Sequence, residues 1–560
     1  MSGKENALND PGDPSGGILP ERTDAEPSPA AVAASAGGGA FEASHRFNEL
    51  ATWQPPIRSA DAEMLPEKPT LDARARDTLR NDAYVSGGAT LHKDNIVGSH
   101  FLLNSKPETR VLWGRDDETW EREFQEEVEA RFTLWSESPT HWPDAARINT
   151  LTGLVRLAVG VYTAGGEVLA SAEWMPNDGR PFRSAIQMID TDRLSTPPDR
   201  YGDSSIRGGV ERDRRGAPIA YHIRRSHPSD YGVSDNWTWR RVMAFRPGWG
   251  RKNILHIYEQ QRADQSRGIS AMVAALSEMR MTKSFRKVEL QRAVVAATYA
   301  ASIESDLPTA DVYTAMGADG TTGNPSTQWA LDYLNAVNEY SGGAKNLYMD
   351  GARIPVFMPG TRLKLQNPGN NGPLGAEFES SLLRHIAASL GVSYEQLSRD
   401  YTQTNYSSAR ASMGETWKHM LTRKKLVADG TADFVYRLWL EEAVNHGEIE
   451  ALKRRNVPAF YEGLNADAYA ACEWIGAGQG QIDPLKETQA SILKLRNGLS
   501  TKEFEIARLH GGDWRKVARQ IARERGMDEE LGNTSINEIE RAGEADQEAA
   551  LGREPQEKDA

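Results

Sequence analysis

The side chains best suited to chemistry form a short polar segment between two stretches of helical periodicity. Seven of them carry hydrogen-bonding groups, namely Arg399, Tyr401, Thr402, Gln403, Thr404, Asn405 and Tyr406. The segment holds no nucleophile beside a base, no cluster of metal ligands and no glycine run that would cradle a phosphate. These residue types predict a surface for non-covalent contact rather than a reaction centre.

Other possible reaction centres are equally sparse. The eleven histidines are scattered without HExxH spacing, and the single Cys472 cannot build a cysteine-based metal site. The glycine runs at 37–39 and 476–480 lack the GxxxxGK[ST] and GxGxxG patterns, so we expect no ATP hydrolysis. The sequence therefore predicts no metal, no cofactor and no enzyme activity.

Three carboxylates leave one enzymatic alternative open. Asp190, Asp192 and Asp199 lie close together in a proline-containing segment, and such a group could serve a metal-dependent nuclease. No partner cluster accompanies them in the sequence. Solvated acids in a turn are the favoured interpretation.

Length, charge and hydropathy limit the class of protein. A chain of 560 residues exceeds one ordinary domain, so more than one core is expected. One cysteine indicates synthesis in a reducing cytoplasm, and no run approaches the roughly 20 apolar residues of a membrane span. The net charge is −13, and eleven Asp and Glu against three Lys and Arg place −8 of it in residues 528–560. The rest of the chain is only mildly acidic.

The periodicity of the chain predicts an α+β protein. Trp120, Phe124, Val128 and Phe132 recur at helical spacing within a predicted helix at 116–136. Short apolar runs at 154–163 (LVRLAVGVYT), 166–175, 219–225 and 239–245 predict strands, and residues 89–107 predict a turn followed by a strand.

The polar segment must be positioned by the helices around it. Residues 269–305 contain almost no helix breakers, and residues 378–390 resume the helical pattern up to a stop at Gly391. Residues 306–375, rich in Gly, Pro and Asn, form an insertion carried on these two helices. A further long helix at 407–443 is expected to bend at Gly414 and Gly430.

Three stretches carry a resemblance to a known family. They are LRHIAASLGVSYEQLSRDYTQTNYSSARASMGETW, RADQSRGIS and GQIDPLKETQASILKLRNGLS. With them, the chain from about Trp53 to Gly526 resembles the portal proteins of lambda-type tailed bacteriophages. The resemblance implies the multidomain portal-protein fold of wing, stem, clip and crown, which assembles into a ring with an axial channel.

The same resemblance implies a division of the chain. Its parts are a disordered N-terminal arm (1–44), a wing (45–267), a first stem helix (268–305), a clip (306–374), a second stem helix (375–391), a tunnel loop (392–406), a kinked wing helix (407–443), a crown (444–527) and an acidic disordered tail (528–560).

The implied function is passage of double-stranded DNA through a capsid vertex. Partners would be about twelve copies of the chain, the terminase large subunit, a head-completion or tail connector protein, and the major capsid protein with its scaffold, without a membrane. The candidates for lining the channel are the basic stem residues Arg280, Lys283, Arg286, Lys287, Arg292 and Arg384. Another minor capsid or head-tail connector component is the alternative.

The tunnel loop would touch the duplex through Arg399 and the six residues from Tyr401 to Tyr406. Uncharged groups contact a phosphate backbone weakly and without reading sequence, as sliding requires. The alternative is a simple turn between two helices, in which Ser407 and Ser408 cap the second helix.

Overall fold

A computed structural model describes residues 52–298 and 374–531, apart from 231, 233, 234, 249, 403, 454–456 and 482. It also describes 332, 335 and the two short strands at 347–349 and 352–354. The predicted N-terminal arm, nearly all of the predicted clip and the tail after 531 lie outside the described residues. The chain divides into units 1–59 and 60–560, and the second holds every element below.

The second unit mixes helices and strands, as the sequence predicts. The helices are α1 (Ala60–Met64), α2 (Lys68–Asn81), α3 (Ala83–Ile96), α4 (Thr109–Trp113), α5 (Glu118–Ser136), α6 (Leu151–Gly165), α7 (Leu276–Thr298), α8 (Leu374–Leu390), α9 (Tyr394–Ser398), α10 (Tyr406–Arg423), α11 (Gly430–His446), α12 (Glu450–Lys453), α13 (Asn465–Tyr469), α14 (Pro484–Arg496), α15 (Lys502–His510) and α16 (Trp514–Leu531). The strands are β1 (Leu102–Ser105), β2 (Glu167–Trp174), β3 (Ser184–Ile189), β4 (Ile206–Arg207), β5 (Val210–Arg212), β6 (Pro218–Arg224), β7 (Trp239–Met243), β8 (Ile254–Tyr258), β9 (Leu347–Met349), β10 (Ala352–Ile354) and β11 (Cys472–Ile475).

The main core lies where α5, α6 and α11 meet. Phe132 on α5 packs edge-on against Trp439 on α11, with ring centroids 5.2 Å apart. Phe182 joins the same aromatic group at 5.5 Å from Trp439. Aromatic pairs of this geometry add to the stabilisation from burying the apolar surface. The helix predicted at 116–136 is confirmed, and its aromatic stripe is the side that is buried.

All described strand pairs in the two larger sheets are antiparallel. One sheet has the order β3-β2-β8, with Leu169 opposite Ile189 and Ala170 opposite Leu255. The other has the order β4-β5-β6-β7. A separate pair joins β1 to β11, which brings residues of the predicted wing beside residues of the predicted crown.

The strand predicted from LVRLAVGVYT is wrong, because these residues belong to α6. Thr150 caps the helix by accepting a hydrogen bond from the amide of Gly153, and Gly166 ends it at φ +74°. Leu151, Leu154 and Ala158 are buried with further residues at helical spacing. Leu157 and Val161, on the less buried side, are apolar as well, so the stretch is almost continuously apolar and its helical period is hidden.

The turn predicted at the start of 89–107 is also wrong. Residues 83–96 form α3, whose start is capped by the carboxylate of Asp82. The glycines at 87 and 88 lie inside this helix. A Cβ at Gly88 would come within 2.9 Å of Leu390, so the glycine lets α8 pack closely on α3. The strand predicted after the turn is confirmed as β1.

The predicted bend at Gly414 is wrong, since Gly414 lies within the regular helix α10. The irregular turn is a π-helical segment, Lys424–Asp429, directly before Gly430. Inside it, the ammonium group of Lys424 donates to Asp429 at 2.6 Å and to the carbonyl of Trp474 at 2.8 Å. The following helix continues to His446, three residues beyond the predicted end.

A buried cluster of charges holds the RADQSRGIS segment in place. The carboxylate of Glu167, fully buried on β2, accepts hydrogen bonds from Arg267 at 2.5 Å and from the amide of Gly268 at 2.9 Å. Lys68 lies 3.3 Å away, and His256 lies 3.1 Å away. Burial alone would raise the pKa of Glu167, but the charges of Arg267 and Lys68 hold it well below its usual range.

Replacing Glu167→Gln should destabilise the protein by about 3–5 kcal/mol, because Arg267 would keep a buried charge without its counter-ion. Urea unfolding measures this loss. Glu173→Gln, on the same strand but with a partly exposed side chain, is the matched control and should cost less than about 1 kcal/mol. Equal losses for the two variants would contradict the assigned role.

Candidate functional site

The predicted stem consists of two helices that pack antiparallel. Phe285 on α7 meets Phe378 on α8, with ring centroids 5.4 Å apart. One residue further along each helix, Arg286 forms an ion pair with Glu379 at 2.6 Å. Along α8, Phe378 is half exposed, whereas Ile386 is buried.

Three of the six predicted channel-lining cations already have contacts. Arg286 stacks on Tyr84 with its guanidinium 4.2 Å from the ring centroid, besides its ion pair with Glu379. Arg292 lies 3.4 Å from Glu289 within its own helix. Arg384 lies 5.1 Å from the ring centroid of Tyr394.

The other three cations are exposed on α7. The side chains of Arg280, Lys283 and Lys287 form no hydrogen bond or ion pair with any residue that the structure describes. A cation that keeps its hydration can meet a polyanion without first breaking a protein contact. These three residues are therefore the best-suited cations of the stem for an external anion.

The predicted tunnel loop is shorter than the segment 392–406. Ser393 caps the short helix α9 with a complete capping box, and residues 399–405 separate α9 from α10. Arg399 ends α9 in the left-handed conformation at φ +57°. The side chain of Tyr401 is half exposed at the start of the loop.

Several polar groups of the loop bond to each other. The carboxylate of Asp400 accepts from the hydroxyl of Thr402 at 2.6 Å and from its amide at 3.1 Å, which lowers the pKa of Asp400. The amide of Thr404 donates to the carbonyl of Tyr401 at 3.2 Å. These bonds order the loop. The carboxylate of Asp400 also gives the loop a negative charge, which the prediction of uncharged contacts did not include.

The cap of the following helix differs from the predicted one. Asn405 accepts from the amide of Ser408 and the hydroxyl of Ser407, both at 2.8 Å, so the two serines lie inside the first turn and the capping residue is Asn405. Gln403 lies outside the described residues. Tyr406 begins α10, and its side chain lies outside the described part of the chain.

The base of the second stem helix has an anchor that the sequence did not indicate. His92 on α3 lies 2.8 Å from the carbonyl of Leu390, the last residue of α8. Burial lowers the pKa of His92 to about 4, so the imidazole is neutral at pH 7. The rings of His92 and His419 lie 6.0 Å apart beside a cavity of about 30 Å³ that Met272 also lines.

The carboxylate group considered for a nuclease is occupied by an arginine. Asp190, Asp192 and His227 bring three possible ligand atoms within 4.8 Å of one another, and His227 was missed in the sequence because it lies 35 residues from Asp192. Both carboxylate oxygens of Asp192 accept from Arg76, at 2.5 and 2.6 Å. A metal ion would have to displace this bidentate pair.

Comparisons with known proteins identify the family. A family model described as "Phage portal protein, lambda family" matches residues 46–424. The chain is 35% identical to "Portal protein B" of Escherichia phage lambda over 477 residues, covering 85% of this chain and 87% of that protein. The chain belongs to the lambda family of phage portal proteins. The "Portal protein" of Escherichia phage N15 is 36% identical over 495 residues, covering 87% of this portal-family chain and 89% of that relative.

Solved structures with a similar chain come from gene transfer agents. "Neck of empty GTA particle computed with C6 symmetry" has a TM-score of 0.38 and 15% identity, and covers 79% of this chain and 92% of that chain. "Neck of native GTA particle computed with C12 symmetry" has a TM-score of 0.36 and 14% identity, and covers 80% of this chain and 94% of that chain. Within the described residues of this portal-family chain, no helix has the length and apolar character needed to cross a bilayer.

Within the stem, Arg286 is bound to neighbouring side chains, whereas Lys283 and Lys287 are exposed and make no such contacts with the described residues. Arg286→Ala should lower the free energy of unfolding by about 1 kcal/mol, since it removes a half-buried ion pair and a cation–π contact. Lys283→Ala and Lys287→Ala are matched controls on the same helix and should change it by less than about 0.5 kcal/mol. Chemical denaturation of the three variants checks this, and a larger loss for either lysine variant would reject the division.

Proposed function

We propose that this chain is the portal subunit of a tailed-phage particle. About twelve copies form a closed ring of cyclic symmetry around a channel for double-stranded DNA. The terminase large subunit drives DNA through this ring during packaging, and the DNA leaves by the same route on ejection. The ring sits in the virion at one vertex of the capsid after synthesis in the cytoplasm of the host bacterium.

The observation that carries the proposal is the 35–36% identity to two portal proteins over more than four-fifths of each chain. The geometry of the two stem helices gives the proposal a physical basis. A two-helix stalk with a short internally bonded loop near its base can present the same few groups from every copy of a ring. Repetition by symmetry then multiplies contacts that are weak in a single copy.

The available charges suit a moving polyanion. Each phosphate that a protein neutralises steepens the salt dependence of binding by about 0.9 in the log–log slope and holds the DNA more tightly. The stem offers only Arg280, Lys283 and Lys287 without described partners, and the loop pairs its Asp400 with Thr402. Contacts of this strength allow sliding, whereas a densely basic wall would retain the DNA.

The partners follow from the parts of a portal ring. We assign residues 306–374 to a clip that docks the terminase and later a head-completion or tail connector protein. The outer wing faces the major capsid protein and its scaffold. The other head-tail connector or minor capsid roles remain the second candidate, and they predict no ring with an axial channel.

We assign no catalytic role to the chain. The nuclease alternative rests on Asp190, Asp192 and Asp199, and the engagement of Asp192 by Arg76 favours a structural role for this group. Incubation of the purified protein with duplex DNA and Mg²⁺ or Mn²⁺ tests this assignment. Cleavage that disappears in the Asp192→Asn variant would replace the proposal with a nuclease.

The ring itself is the first test of the proposal. Negative-stain images of the purified chain should show rings with an axial hole, because surfaces exposed on one copy are covered by its neighbours. Light scattering gives the mass of the particle in the same preparation. A monomer, or an open filament, at all protein concentrations would reject the portal ring.

Replacing 402–405 by a Gly-Ser linker tests the loop. The variant should still form rings, since the stem contacts are untouched, but should retain less packaged DNA or stop packaging early, because the pre-ordered contacts are lost. The matched control is a Gly-Ser replacement of 213–216, an exposed turn of equal length between β5 and β6. Full genome content in the loop variant would reject the loop's role and leave the ring proposal standing.

A further inference from the structure

The last three helices expose apolar side chains and bury polar ones. Between 484 and 531, where every residue is described, the buried residues are Ser491, Glu505 and Asp513. Seven large apolar side chains are between 43% and 78% exposed, namely Leu485, Ile492, Leu493, Leu499, Phe504, Met527 and Leu531. Soluble proteins rarely leave such a group uncovered, so this surface, called the crown face below, has a partner.

Polar contacts hold these helices together. The carboxylate of Glu505 on α15 accepts from the hydroxyl of Ser491 on α14 at 2.7 Å and from Arg508 at 2.9 Å. Lys494 lies 3.5 Å from the same carboxylate. The apolar side chains of α14 are therefore not needed for the contact with α15 and remain free for another surface.

The charge of the crown face is opposite to that of the chain that follows it. Residues 484–531 contain ten Lys and Arg against eight Asp and Glu, and three of these acids, at 528–530, lie in the last turn of α16. Residues 532–560 contain eight Asp and Glu against three Lys and Arg. Four cations of the first segment make no side-chain hydrogen bond or ion pair with a described residue, namely Arg496, Lys516, Arg523 and Arg525. A basic stretch thus precedes an acidic one that begins in the last turn of α16.

We propose that residues 532–560 bind back onto the crown face and cover it. The acids of this tail would meet the unpartnered cations, and Ile536 and Ile539, spaced three residues apart, would meet the exposed apolar side chains of α14. Twenty-nine residues extend up to about 95 Å, while the longest of the three helices spans about 27 Å, so the tail reaches every part of the face.

The charge decides between the tail and other occupants. A two-fold pair of crown faces would place like charges against each other. The tail brings the opposite charge at a fixed ratio of one per face. Its acids also compete with phosphates for the same cations, so the tail keeps the crown face from holding packaged DNA.

A peptide of residues 532–560 tests the proposal by fluorescence anisotropy. It should bind a chain that ends at Leu531, and should bind the intact chain more weakly because the tethered tail already occupies the face. A short flexible tether gives an effective concentration on the order of 1 mM, so a peptide with a Kd of about 100 µM should lose about tenfold in affinity. Equal affinity for both chains, or no binding to either, would overturn the proposal.

Matched variants locate the contact. In the shortened chain, Ile492→Ser with Leu493→Ser, and separately Arg523→Ser with Arg525→Ser, should each weaken the peptide at least about fivefold. Arg115→Ser with Arg122→Ser, two exposed wing cations, is the control and should leave its affinity unchanged. A peptide with Glu538→Gln and Glu540→Gln should bind more weakly, and its affinity should depend less on the salt concentration. Undiminished binding to both crown variants would overturn the assigned face.

Duplex DNA and self-association distinguish the other occupants. If the tail covers the face, the shortened chain binds DNA more tightly than the intact chain, and the peptide displaces that DNA. Equal DNA affinities without displacement would overturn the proposal. So would a shortened chain that self-associates through Ile492 and Leu493 while the peptide fails to compete. Ring formation by the intact chain is a separate measurement, so the portal proposal stands or falls independently.

Discussion

The buried carboxylate of Glu167 is the constraint on which the described architecture depends. A fully buried charge is stable only among close partners, and those partners come from α2, β8 and the segment that precedes the first stem helix. One side chain thereby fixes the direction in which the stem leaves the sheet. The backbone segments around Gly166 and Gly268 are in direct contact there, because a Cβ at Gly268 would lie 2.2 Å from the carbonyl oxygen of Gly166. Only glycine fits at such an approach.

The stem depends on this anchor and on a second one. Lys68 donates to the carbonyl of Gly268 at 2.7 Å, just before the first stem helix, and His92 contacts the carbonyl of Leu390 at the end of the second. Both helices are thus fixed at the end that packs on the wing. The ion pair of Arg286 with Glu379 then joins them further out. In the proposed ring, these anchors would give every copy the same stem geometry.

The C-terminal helices α15 and α16 contact the rest of the chain through polar side chains. Glu503 accepts from Asn104 at 2.6 Å, and Arg519 lies 3.0 Å from Glu126. Arg515 lies 3.5 Å from Glu129, but burial outweighs this attraction and raises the pKa of Glu129 to about 7. Exposed and half-exposed ion pairs weaken with salt, whereas the aromatic core below them does not. These contacts of α15 and α16 therefore weaken as the ionic strength rises.

The sequence alone determined the α+β class, the family and the strongly periodic helices, because a stripe such as Trp120, Phe124 and Phe132 can only be buried on one side of a helix. Local signals also determined the stop at Gly391. Tertiary structure decided that 154–163 is a helix, since apolar residues on its less buried side, such as Leu157, hid its period. It also decided which stem cations are available: Glu379 lies 93 residues from Arg286, and no local pattern carries a contact across that distance. Ion pairs, the burial of side chains and the exposure of apolar residues on the crown face arise only when distant segments meet.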